Sequence, residues 1–502
     1  MAIKRYFATQ DNTITNAFEA NLRTRGTGSN MGASDILEAF VIHGQTTASI
    51  NATNAEQARI LIQFPIDSIV SDINDGVVPS SSVEYRLKMF NAPHADSLPY
   101  EYPLKVAVVS GNFWTEGRGL DMNEYTDFGV CNWISSSNLI AWEHEGGDFY
   151  NSASSGDTAY SSSFYLSGGS EDLDVDVGFA VDLWRSDGVG TASNFGFMIK
   201  HDDDIISGSS GSFFTKKFFG RTSDYFLKRP YIEARWDSSR KDQRGVTLIS
   251  SALAPPSDNL NTVYLYNRIR GQLRDIPSLI GTDQIIYVSF YSGSNNDLPT
   301  GHRLHVIDTD GNVQQEITGG IVVEGGTAKT GIYSCSFAIT SSLTTVHDVW
   351  HSGSIEYFTG SINLEGLTAS FAQYETQHIS DITNLKKSYV KGQKPVLRVY
   401  AREKNWNPNV YSVASSEPAT EIIEDAYWRL FRVVDNLEII PYGTGTYNHT
   451  RMSYDISGNY FEVDTNILDE GFAYGLQFVY LLNGKYVEQP EIFKFKLDEE
   501  PV

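Results

Sequence analysis

The chain has 502 residues, 41% hydrophobic and 13% aromatic, with 38 Lys and Arg against 62 Asp and Glu, a formal net charge of −24. That apolar fraction excludes a disordered polymer, and no apolar run approaches the ~20 residues of a membrane-spanning helix. The negative balance argues against direct nucleic-acid binding, which needs clustered Lys and Arg.

At roughly 150 residues per domain, the length predicts about three domains. The run from Met1 to Asp11 has no apolar signal core and reads at once as a strand, which argues against Sec export. Strand signals then dominate. Runs rich in Val, Ile, Tyr, Phe and Thr recur between Gly, Ser, Asn and Asp clusters, as at 58–64, 83–90, 284–291 and 396–400. Asp310-Gly311 and Asn483-Gly484 mark hairpins, because both pairs tolerate positive φ. A short helix is predicted near Ser342–Val349. The expected class is all-β: an N-terminal jelly-roll-like β-sandwich over 1–237, then two immunoglobulin-like β-sandwiches over 245–365 and 366–502. The seams are the polar stretch Ser238–Gly245 and, more weakly, Gly360–Gly366. Cys131 and Cys335 lie far apart and read as reduced, buried thiols in different domains.

In the first third, several blocks occur in a familiar order: Tyr6–Thr15, Gly32–Leu37, Ala58–Asp67, Trp114–Gly117, Val175–Val177 with Asn194–Phe197, Phe218–Ser223 and Arg229–Ile232. Together they resemble the DNRLRE-type domain, a β-sandwich family that includes carbohydrate-binding modules. Pro65 stands where that family usually has Asp. The resemblance implies binding or display, and makes Trp114 and Trp142 the candidate glycan-binding residues, with Trp133 and Trp184 beside them. An indole face can cover the apolar face of a pyranose; the ordinary alternative is that these indoles fill the core. Asp148, Asp174, Asp176 and His201–Asp204 offer hard oxygen ligands for Ca²⁺, or are merely solvated acidic loops.

In the middle third, Gly331–Cys335 places a Tyr two residues before a Cys, the spacing of a tyrosine corner. The partner cysteine is missing from the early strand Thr262–Tyr266. The closing run Ile492–Leu497 alternates Lys with apolar residues and reads as a half-exposed or edge strand. The blocks Leu265–Gly271, Ala401–Trp406 and Ile439–Gly445, with the three-part organisation, resemble virion structural proteins of marine tailed phages. That resemblance implies assembly in a host cytoplasm into a particle.

Signals for chemistry are weak. No Gly-x-Ser-x-Gly pentad occurs, and Gly325–Thr330 lacks the spacing of a phosphate loop, so it reads as a turn. His302 with His305, and His347 with His351, are the histidine pairs that would be tested for zinc. Isolated surface or hydrogen-bonded histidines are the ordinary reading. Asn448–Thr450 is a glycosylation sequon only on a secretory route. The expectation is a non-enzymatic virion protein of the neck, collar, tail or capsid surface, without metal or cofactor apart from the Ca²⁺ alternative. Its partners would be other virion structural proteins and further copies of itself. The alternative is an adhesin that recognises host polysaccharide through the first sandwich.

Overall fold

A computed structural model describes residues 2–43, 55–95, 101–120, 129–150, 161–185, 193–207, 213–250, 255–293, 301–324, 326–366, 377–404 and 420–499. Two compact units divide the chain. One comprises Ile3–Val78 and Ser82–Arg235; the other comprises Trp236–Val502 with the short pieces Met1–Ala2 and Pro79–Ser81.

The first unit begins with β1 (Ile3–Phe7), β2 (Gln10–Thr15), β3 (Ile36–Ile42), β4 (Glu56–Gln63), helix α1 (Ile66–Asn74), β5 (Glu84–Met89) and β6 (Tyr102–Val108). A small hairpin follows, β7 (Ser135–Ser137) and β8 (Ile140–Ala141). Then come β9 (Ser161–Leu166), β10 (Leu173–Asp176), α2 (Gly178–Arg185), β11 (Phe197–His201), α3 (Asp203–Ile206), β12 (Phe213–Phe219) and β13 (Tyr231–Arg235). One sheet runs β1-β13-β5-β10, and the other carries β4-β11-β6-β9 with β2, β3 and β12 beyond β4. Taken as eight strands in chain order, the two sheets read 1-8-3-6 and 2-7-4-5, which is jelly-roll topology. The alternation in β5 shows why these residues form a sandwich: Tyr85, Leu87 and Met89 are buried while Glu84, Arg86 and Lys88 face the other way. Pro65 precedes α1 as its N-cap, a position where the missing N–H costs nothing.

The second unit holds two sandwiches. In the first of them, β14 (Thr247–Leu248), β15 (Asn261–Tyr266), β16 (Arg268–Ile269), β17 (Gln272–Leu273) and β18 (Ile286–Ser292) lead to the short hairpin β19 (Val306–Ile307) and β20 (Val313–Gln314). They are followed by β21 (Ile317–Glu324), β22 (Thr327–Phe337), β23 (Thr345–Ser352) and β24 (Ile355–Glu365). The strand order is β14-β24-β23-β18-β21-β22-β15, with β14 parallel to β24. β21 changes sheets: Ile317–Gly319 pair with β18, and Gly320–Glu324 with β22. A Cβ on Gly319 would stand 2.7 Å from the Ser334 carbonyl oxygen, so the crossing needs glycine. Val263, Phe290, Phe337, Trp350 and Ile362 fill the space between the two sheets.

The last sandwich comprises β25 (His378–Ile382), β26 (Ser388–Val390), β27 (Val396–Glu403), β28 (Ala426–Arg432), β29 (Glu438–Ile440), β30 (Ser453–Asp455), β31 (Gly458–Glu462), β32 (Ala473–Leu482), β33 (Lys485–Glu488) and β34 (Phe493–Asp498). Its sheets are β25-β27-β31-β30 and β26-β34-β32-β28-β29, again with the early strand β26 parallel to the last. That is the immunoglobulin arrangement, complete with a buried Trp428 stacked on Phe461 of the opposite sheet at 5.0 Å.

Two expectations are corrected here, and two others hold with a refinement. The helix near Ser342–Val349 is strand β23: Thr345, Val346 and Val349 are β-branched, and the segment pairs with β18 on one side and β24 on the other. The tyrosine corner is not at Tyr333, which lies in the middle of β22, adjacent in the same sheet to β15; Val263 directly opposes Cys335, so no cysteine on β15 would bridge the two sheets. Asp310-Gly311 belongs to a five-residue loop between Ile307 and Val313, whereas Asn483-Gly484, at φ 52° and 76°, makes the two-residue turn its sequence requires. β34 is half-exposed as expected but not an edge, because β26 pairs with it.

Candidate functional site

The expected glycan platform is enclosed. Residues 109–120 and 129–150 fold back over the outer face of the larger sheet of the jelly roll. There Trp114, Trp133, Trp142 and Cys131 form a second small core with Ile14, Leu61, Val109 and Met198. Trp114 is 4% exposed and donates its indole N–H to the Phe195 carbonyl at 2.8 Å; Trp142 is 5% exposed and donates to the Asn132 carbonyl at 3.0 Å. Burial removes the ring faces that a sugar would stack on, so neither indole is a surface platform. Trp184 is likewise buried, edge-on to Phe197 at 5.0 Å.

Of the carboxylates considered for Ca²⁺, Asp148, Asp174, Asp176, Asp202 and Asp203 are engaged by separate local partners. Asp148 accepts from the N–H groups of Glu143 and His144, both at 2.8 Å. Asp174 pairs with Arg86 and Lys88, Asp176 accepts from the Gly178 N–H, and Asp202 caps α3 while Asp203 binds Lys200. Among the described residues, no three His, Cys, Asp or Glu side chains come together as a metal site. His347 and His351 share a face of a strand, not of a helix; His351 bonds Ser289 at 2.9 Å while His347 is buried. Residues 405 and 406 and Gly325 lie outside the described residues. Cys131 and Cys335 are buried free thiols, and burial holds both well above the usual thiol range.

What the structure does assemble is charge inside packed faces. On the outer face of the smaller jelly-roll sheet, Glu233 of β13 accepts from Arg5 Nε at 2.6 Å and from Arg235 Nε at 2.7 Å. Burial alone would raise the Glu233 carboxyl, but the two guanidinium groups prevail and hold it at about 2.

In β2, Asp11 is fully buried. Its Oδ2 accepts from the Arg221 N–H at 2.6 Å, and its own N–H donates to Glu116 at 2.9 Å. Burial pushes the Asp11 carboxyl up to about 7, with Arg221 opposing and Glu116 assisting. An acid whose folded value is raised loses stability as pH climbs from its ordinary value near 4 to about 7, the unfolded chain ionising first. Asp11→Asn should therefore abolish that decline and leave the variant more stable than wild type at pH 8, by about 4 kcal/mol at most. Urea titrations at pH 5 and pH 8 check this; equal slopes for the two proteins would contradict it.

In the second unit the functional arrangement is the segment expected to be a seam. Residues 237–246 bind both sandwiches. Arg240 donates from Nε to Glu324 at 2.7 Å on the middle sandwich, and from its backbone N–H to Ser453 Oγ at 2.9 Å on the last one. Backbone bonds join Tyr454 N–H to the Arg240 carbonyl at 3.0 Å and Asp242 N–H to the Tyr454 carbonyl at 3.1 Å. Lys241 lies 3.3 Å from Asp425, which also binds Arg451. Arg244 then makes a two-pronged pair with Asp348 of β23, 2.6 Å on each prong, and Asp348 also accepts from the Trp350 indole at 2.7 Å. No motif announces these partners, because Arg244 and Asp348 are 104 residues apart.

The corner that the sequence placed at Tyr333 occurs at Tyr474, at the start of β32. Its hydroxyl accepts from the Asp469 N–H at 2.9 Å and donates to the Asp469 carbonyl. Tyr333 instead anchors the loop before β18, its hydroxyl accepting from Ile276 N–H at 2.9 Å and donating to Gln284 at 2.6 Å.

No protein-family model and no curated protein matches this chain. Among solved structures, a chimeric titin Z1Z2 tandem is similar at 13% identity, over 43% of this chain and 84% of its own, with a TM-score of 0.15. The tandem Ig repeats of Dlar are similar at 10% identity, over 48% of this chain and 90% of their own, with a TM-score of 0.13. The trypsin-activated alpha-2-macroglobulin of Escherichia coli is similar at 8% identity, over 93% of this chain and 29% of its own, with a TM-score of 0.15. At such scores no functional argument passes from them to this chain, whose all-β, immunoglobulin-like architecture stands on its own strand order.

Proposed function

We propose that this chain is a non-enzymatic structural protein of a tailed-phage virion, acting through protein–protein assembly in the neck, collar, tail or at the capsid surface. Its partners are other virion structural proteins and further copies of itself; it is built in the host cytoplasm and meets neither nucleic acid nor membrane directly. The observation that supports this reading is the segment 237–246. Linkers between domains ordinarily permit relative motion unless a substantial interface opposes it. Here the linking residues carry ion pairs to both neighbours, the buried Arg244–Asp348 pair on one side and the partly exposed Lys241–Asp425–Arg451 group on the other. Holding two sandwiches as one body serves a protein whose action is the shape it presents.

A particle reconstruction tests the proposal. The chain at fixed copy number, packed among other structural proteins, is the expected result. Purified protein that turns over a polysaccharide or nucleotide, with turnover abolished by changing one acidic side chain, would overturn it. The adhesin alternative is tested on a glycan array with the intact chain. Trp114→Ala and Trp142→Ala are poor probes of it, since removing a buried indole costs about 3–5 kcal/mol and would report folding instead.

A further inference from the structure

The first unit contains two turns of the same sequence, Asn21-Leu22 and Asn138-Leu139, and in both the leucine has left-handed backbone, φ 53° and 59°. Leu22 lies within the turn closed by the Phe18–Arg25 bridge, and Leu139 within the tight loop between Ser137 and Ile140. A branched aliphatic side chain crowds its own carbonyl in that conformation, so glycine and asparagine ordinarily occupy such places. Burial does not compensate: Leu22 is 47% exposed and Leu139 is 97% exposed. Ile134, beside the second turn, is also exposed. Neither backbone preference nor core packing accounts for leucine at these two tips.

Both turns rise from a firm base. Trp133 N–H bonds the Thr27 carbonyl at 3.1 Å, and Asn12 bonds the Cys131 carbonyl at 3.3 Å, tying the two loops to each other and to the tryptophan-rich cluster. Their charges are opposite. Arg23 adjoins Leu22 and is exposed; Glu143 and Glu145 follow the second hairpin and are exposed; among the described residues none of the three has a side-chain ion pair.

We propose that these tips form the contact between two copies of this chain, with Leu139 and Ile134 of one copy packed against Leu22 of the next, and Arg23 set against Glu143 and Glu145. One base carries both tips, so the reciprocal contact belongs to the same interface and the pairing is two-fold and self-complementary. A surface carrying both signs in separate places matches a second copy; it does not match an anionic membrane or a partner of uniform charge. This deepens the assembly reading by naming a surface, and rests on it only for biological context.

Sedimentation of the purified full chain over a range of concentrations is the test. Wild type is expected to associate with increasing concentration. Leu22→Gly with Leu139→Gly should weaken association by about tenfold or more while leaving the fold intact, since glycine suits the left-handed backbone. Arg23→Glu should weaken it as well, and combining it with Glu143→Lys and Glu145→Lys should restore it. Wild type that stays monomeric, association indifferent to the glycines, or charge reversal without restoration would each overturn the proposal. A chain that is monomeric alone yet present at fixed copy number in a particle would overturn this contact and leave the assembly reading standing.

Discussion

Asp348→Ala is expected to destabilise the second unit by about 3–5 kcal/mol, the usual cost of stranding a buried charge. The carboxylate is fully buried and has three donors, both prongs of Arg244 and the Trp350 indole N–H. Without it, the Arg244 guanidinium stays against the Phe358 ring, 5.3 Å from its centre, with only the more distant charge of Asp242 to oppose it. The prediction separates a mere loss of attraction from the penalty of an unpaired ion. Adding Arg244→Leu to Asp348→Ala should recover much of the loss, because it removes the stranded cation and keeps an apolar neighbour for Phe358. Urea unfolding of the double variant and of each single variant measures both effects. A double variant as unstable as the sum of its single changes would refute the account.

Glu233→Gln should cost the first unit a similar amount, about 3–5 kcal/mol at pH 7. Here one buried carboxylate serves Arg5 and Arg235, so its neutralisation leaves two guanidinium groups facing each other across β1 and β13. The pH dependence follows from its depressed value of about 2. A carboxyl held low in the folded state contributes stability that is present above its ordinary value near 4.3 and disappears as pH falls through about 2. Wild type should thus lose stability between about pH 4.5 and pH 2, and the gap between wild type and Glu233→Gln should narrow over the same range. A gap independent of pH would show that the carboxylate is not the source of the effect.

These two clusters mark where sequence reasoning stops. The alternation of Glu84 to Met89, the Asn483-Gly484 turn and the Lys-apolar pattern of Phe493 to Asp498 are local, and local patterns are readable one strand at a time. The tyrosine corner illustrates the limit. Gly331–Cys335 and the start of β32 both present a tyrosine near the beginning of an apolar run, and only the strand order identifies Tyr474 as the corner. Trp114 and Trp142 show the same limit from another side. An indole is equally suited to a sugar or to a core, and the choice depended on whether residues 109–120 and 129–150 fold back over the sheet. The two leucine tips carry no sequence signal, since Asn-Leu recurs elsewhere in the chain, and their meaning rests on a backbone angle and an exposure that no composition reveals.

Residue pattern alone determined that this is an all-β chain of sandwich modules, because period-two burial and turn chemistry act between near neighbours. Tertiary structure decided which aromatic rings face inward, which strand bears the corner, and that residues 237–246 fasten two sandwiches together. The physical reason is distance along the chain: a salt bridge or an indole's burial depends on partners that folding brings together from roughly a hundred residues away, and no local spacing encodes their meeting.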